Sequence, residues 1–140
     1  MRSGARIEGI VQSGHGDAAH WLTVFSEAYE AKLGTRMFPG SLNLLLAAPF
    51  DWFSAELQDG IIPFGRDEMG GERDVLLYPA WLPELDATLG FIWTTTIGAS
   101  DRPDVRVVEF ISEEGLRDRF GLQDGDVVVL QLGRTGGEST

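Results

Sequence analysis

The chain has 140 residues, 43% of them hydrophobic, with no cysteine and a formal net charge of −11 from 22 acidic and 11 basic side chains. That length fits one domain with its own core, and the missing cysteines exclude disulfides and thiolate zinc sites, as suits a reducing cytoplasm. The acidity argues against nucleic acid as a partner, since that binding runs on phosphate neutralisation by Lys and Arg.

In chain order, Met1-Arg2-Ser3-Gly4 leads directly into a strand-like segment, so no signal peptide is expected. Ile7 to Gln12 reads as a first strand, ended by the glycine-rich turn Ser13-Gly14-His15-Gly16-Asp17. From Trp21 to Leu33 apolar residues recur at helical spacing (Trp21, Phe25, Tyr29, Leu33), and Gly34 supplies a stop. Leu42 to Ala47 is a short apolar run that fits a buried strand. Asp51 to Gly71 mixes aromatics with Gly and Pro around one or two short strands near Ile61-Ile62-Pro63-Phe64.

Arg73 to Tyr78 and Thr88 to Thr96 read as strands, rich in Val, Leu, Ile and Thr. After a polar loop, Val105 to Ile111 is a strong strand. Ser112 is expected to cap a short helix that runs to Phe120, with Glu113 and Glu114 in its first turn. The turn Asp124-Gly125-Asp126 precedes a last strand, Val127 to Leu132, and residues 133–140 form a small polar tail. Many short strands with two short helices predict a mainly β, single-domain barrel over residues 1–132. No apolar stretch approaches the ~20 residues of a membrane span.

Two motifs carry chemistry. Successive N–H groups in a glycine turn such as Gly14 to Ala19 form an anion-binding nest, although a plain tight turn would use the same residues. In Pro39-Gly40-Ser41-Leu42-Asn43, strand geometry sends Ser41 and Asn43 to one face. They would offer two neutral oxygens to Mg²⁺, which keeps waters and substrate phosphates as its other ligands. A P-loop is excluded, because its glycine loop closes on Lys-Ser/Thr and the single lysine, Lys32, lies elsewhere. Gly14 to Ala19 also fits the dinucleotide fingerprint, but the later chain lacks the βαβ alternation it requires. His15 and His20 read as loop-surface residues. Glu109 shares a strand face with Val105, Val107 and Ile111, so it points either to a solvated edge or into a polar pocket with donors for it.

Three blocks resemble the CTP-dependent riboflavin kinases, best known from archaea. They are Gly9-Ile10-Val11-Gln12-Ser13-Gly14-His15-Gly16, then Pro39-Gly40-Ser41-Leu42-Asn43-Leu44, then the stretch from Val107-Val108-Glu109-Phe110-Ile111 through Leu116-Arg117 to Leu122-Gln123-Asp124-Gly125-Asp126-Val127. The resemblance implies a cradle-loop β-barrel that transfers the γ-phosphate of CTP to riboflavin, giving FMN, with Mg²⁺. It implies nucleotide binding by Gly14, His15, Gly16, Asp17, Ala18 and Ala19 and by Glu114, Gly115, Leu116 and Arg117. It further implies metal binding by Ser41 and Asn43, and flavin contacts from Glu109 and Thr96. A cytoplasmic monomer or small homo-oligomer is expected, with no membrane or nucleic-acid partner. Two departures stand out: Ala18 and Ala19 replace a further glycine and a basic residue, and Thr94-Thr95-Thr96-Ile97 replaces a Lys/Arg-Thr-x-His stretch. They predict slowed turnover, and leave open a diverged barrel that binds nucleotide or flavin without catalysis.

Overall fold

A computed structural model describes residues 6–13, 26–38, 40–50, 52, 60–64, 74–96 and 105–133. The strands are β1 (Arg6–Gln12), β2 (Leu42–Phe50), β3 (Ile62–Phe64), β4 (Asp74–Leu82), β5 (Thr88–Thr96), β6 (Val105–Ser112) and β7 (Val127–Leu132). Two helices accompany them, α1 (Ser26–Leu33) and α2 (Leu116–Phe120). The sheet order is β3-β4-β5-β6-β2-β1-β7, and β7 also pairs with β4. Six antiparallel strands therefore close a barrel, with β3 appended to β4.

Strand alternation sorts the side chains into two clusters. Val11, Leu42, Leu44, Leu46, Tyr78, Ala80, Leu82, Ile92, Val108, Phe110, Val128, Leu130 and Leu132 come from all six barrel strands and fill its interior. Leu116 of α2 joins that interior, so the short helix stoppers one end. Residues of opposite parity, Val75, Leu77, Trp93 and Ile111, face outward under Met37, with Leu33 of α1 packed against them. Leu33 thus takes the buried place that the helical spacing assigns it. Trp21 and Phe25 and the side chain of Tyr29 lie outside the described residues, as does 134–140.

Three expected boundaries move. β2 runs three residues past Ala47, to Phe50, where it pairs with Val105 after a register shift. β4 runs past Tyr78 to Leu82, because Ala80 and Trp81 pair with Leu132 and Gln131 of β7 and close the barrel. Pro79 lies inside it, and its carbonyl still accepts from the Gly133 N–H at 2.8 Å. Ser112 does not cap α2. It ends β6, and its hydroxyl bonds the backbone of Glu114 at both N–H and carbonyl, while Gly115 takes the cap position without a side-chain bond. Gly121 ends the helix in the left-handed region at φ 64°, as its sequence position predicts.

Candidate functional site

The site grows from one row of paired residues across the sheet. Gln12 pairs with Asn43, Asn43 with Glu109, Glu109 with Trp93, and Trp93 with Leu77. Paired residues share a face with their Cβ atoms about 4.5–5.5 Å apart, so these side chains form one outward-facing line. Its first half is polar and its second half apolar.

Ser41, just before β2, completes the polar half. Its hydroxyl lies 2.6 Å from Asn43 Oδ1 and 3.1 Å from Glu109 Oε1. A hydroxyl has one hydrogen, so it can donate to only one of these oxygens. A hydroxyl, an amide oxygen and a carboxylate brought together fit an oxygen-seeking cation. Among the described residues no group of three or more His, Cys, Asp or Glu side chains forms an all-protein cage. The donor set therefore suits Mg²⁺ that relies on phosphates and waters for its remaining ligands.

Beside Ser41 opens a cleft of about 120 Å³, lined by Phe38, Gly40 and Leu42 on one side and by Glu114, Gly115, Leu116 and Arg117 on the other. The Arg117 guanidinium reaches out of this cleft and donates to Asp124 Oδ1 at 2.9 Å. Asp124 also accepts from the Ser13 hydroxyl, at 2.9 Å through Oδ2. The Asp124-Gly125-Asp126 turn is itself tied to β1: Gly125 N–H donates to Val11 O, and Val11 N–H to Asp126 O, both at 2.8 Å. All three blocks singled out in the sequence thus meet at one end of the barrel. Gly14, His15, Gly16, Asp17, Ala18 and Ala19 lie outside the described residues, but the chain enters them from Gln12 and Ser13, beside Asn43 and Arg117.

Over residues 11–132 the sequence matches the family model CTP-dep_RFKase, described as "Domain of unknown function DUF120". The chain belongs to this family. It is similar to the riboflavin kinase of Methanospirillum hungatei, 29% identical over 131 residues that cover 90% of this chain and 57% of that protein. It is also similar to the riboflavin kinase of Staphylothermus marinus, at 28% over 125 residues covering 89% of both chains. The riboflavin kinase of Methanosphaera stadtmanae is 29% identical over 128 residues, 90% of this chain and 96% of its own.

Within this CTP-dep_RFKase domain the residues expected to bind metal, and Glu109, fall into one cluster rather than two separate places. Thr96 ends β5, three residues beyond the Trp93 that pairs with Glu109; its side chain lies outside the described residues. Phe38 and Asp124 have no site role that the sequence alone suggests. Trp93 is buried, and its indole N–H has no acceptor. Asp124 had a signal in the motif, since an aspartate opening an Asp-Gly-Asp turn can accept from whatever the turn faces.

The Arg117 hydrogen bond, and after it the one from Ser13, hold the Asp124 carboxyl below the usual aspartate value. A depressed carboxylate contributes stability above its unfolded pKa, about 3.9, and loses it as pH falls through the lower folded value. The clasp between Ser13, Asp124 and Arg117 should therefore be constant from neutral pH down to about 4 and open below. A ¹³C titration of the Asp124 carboxyl carbon should show a midpoint below that of a free aspartate, raised by Arg117→Ala. A midpoint at or above about 3.9 contradicts the clasp.

Proposed function

We propose that this domain transfers the γ-phosphate of CTP to the 5′-hydroxyl of riboflavin, giving FMN and CDP, with Mg²⁺ at Ser41 and Asn43. The supporting observation is the meeting of a neutral oxygen pair, a carboxylate and a guanidinium-bearing cleft at one barrel end. Phosphoryl transfer asks little covalent chemistry of the protein and much positioning and charge stabilisation. Bound Mg²⁺ would offset charge on the phosphates. Arg117, now paired with Asp124, would give its guanidinium to a phosphate, and residues 14–19 would bind the phosphates.

Glu114, Gly115, Leu116 and Arg117, which the family resemblance assigns to the base, line this cleft together with Phe38. On the other side, Glu109 offers a hydrogen-bond acceptor that suits the ribityl hydroxyls or the ring N–H of a flavin, with Thr96 as a second contact.

The direct test is FMN formation from riboflavin, CTP and Mg²⁺, followed by chromatography. Tight binding of both ligands without FMN formation would instead favour the diverged binding barrel. Glu109 is half-buried and can accept from the Ser41 hydroxyl at 3.1 Å, and its carboxylate would accept from a ribityl hydroxyl. Glu109→Gln should then weaken riboflavin binding by about 1.5–3 kcal/mol, the range for a hydrogen bond to a charged group. CTP binding should be nearly untouched. Parallel fluorescence and calorimetric titrations check this, and equal weakening of both ligands would point to damage in the barrel.

A further inference from the structure

Phe38 belongs to neither packed cluster, although the residue before it, Met37, is buried in the outer one. Its ring is 42% exposed. A single surface aromatic ordinarily needs no explanation, but this one is fixed in place twice over. Its backbone N–H donates to Ser112 O at 2.8 Å, which ties it to the end of β6. Its ring lies against two glycines. A Cβ built on Gly115 would fall 2.9 Å from Phe38 Cζ and 3.1 Å from Cε1, and one on Gly40 would fall 3.2 Å from Cε2.

The phenyl ring therefore occupies the room that side chains at 40 and 115 would need. It still leaves a large part of its surface free in the cleft it shares with Leu116 and Arg117. An aromatic ring set by its edge against two glycines and open to a cleft is the arrangement that stacks on a flat ligand. We propose that Phe38 is the platform on which the nucleobase stacks, and that Gly115 lacks a side chain so that the ring can reach the cleft. This rests on the nucleotide reading of the cleft given above and assigns its base-binding surface. Every base has a π-face, so the platform supplies affinity, whereas the choice of base falls to hydrogen-bonding groups at the cleft's edge.

Base–aromatic stacking is worth about 1–3 kcal/mol by alanine substitution, which corresponds to about 5- to 150-fold in Kd. Calorimetry with CTP and with inorganic triphosphate, which has no base, separates the platform from the phosphate site. Phe38→Ala should weaken CTP within that range and leave triphosphate unchanged. Phe38→Leu, which keeps apolar bulk without the π-face, should behave more like Phe38→Ala than like Phe38→Tyr. Unchanged CTP affinity in Phe38→Ala, or equal loss of CTP and triphosphate, overturns the platform while the nucleotide reading stands. A wild-type protein that binds riboflavin but neither CTP nor triphosphate overturns both. If Phe38→Ala does not fold, NMR of the wild-type protein decides: CTP must shift the Phe38 ring protons upfield, and triphosphate must not.

Discussion

Asn43→Ala is expected to remove the Mg²⁺ dependence of CTP affinity and to lower kcat/KM for FMN formation by at least about 10–100-fold. That range is typical for losing even an outer partner of a metal site. Asn43 is placed for this by two independent constraints: its pairing with Glu109 in the sheet and the 2.6 Å approach of the Ser41 hydroxyl. Its side chain is half-buried on the outward face, so truncation leaves the barrel interior intact. CTP titrations with Mg²⁺ and with EDTA check the result. Equal affinities in the wild-type protein under the two conditions would remove the metal from Ser41 and Asn43.

Phe110→Ala should destabilise the unliganded protein by about 3–5 kcal/mol, the usual cost of emptying a buried phenyl site. Phe110 is fully buried and pairs with Leu42 on one side and Ile92 on the other. Gly90 makes room for it: a Cβ there would meet Phe110 Cζ at 2.5 Å and the Ile111 carbonyl oxygen at 2.2 Å. The neighbouring strands hold the backbone, so the site cannot collapse to fill the void. Urea unfolding should show a lower midpoint with an unchanged slope. A loss under about 1 kcal/mol, well below that range, would mean that the barrel end repacks.

Most strands are legible in the sequence because Val, Ile and Leu alternate along them, and β5 and β7 have the bounds their sequence predicts. β4 is longer than its sequence suggests because Pro79 reads as a break, and its continuation depends on β7, some fifty residues away. Ser112 offers the right side chain for a cap but is held in β6 by its neighbours. Within the site, period-two alternation puts Ser41 and Asn43 on one face, and their side chains do meet. The contact between Ser41 and Glu109 spans 68 residues, and that between Ser13 and Asp124 spans 111. No local pattern encodes such distances. Phe38 is invisible in the sequence for a different reason. Its placement depends on the absence of side chains at Gly40 and Gly115, and a loop glycine serves a tight turn as readily as it makes room for a distant ring.

The closure of the barrel has a consequence for association between chains. Among the described strands, β3 alone has a neighbour on one side only. An unpaired strand edge is a template on which another chain can add a strand, with aggregation as the hazard. Here that edge is three residues long, Ile62-Pro63-Phe64, and its middle residue has no N–H to donate. A second copy would find no continuous ladder to extend at β3. Among the described residues this edge offers at most a three-residue ladder, a short template for cross-β growth.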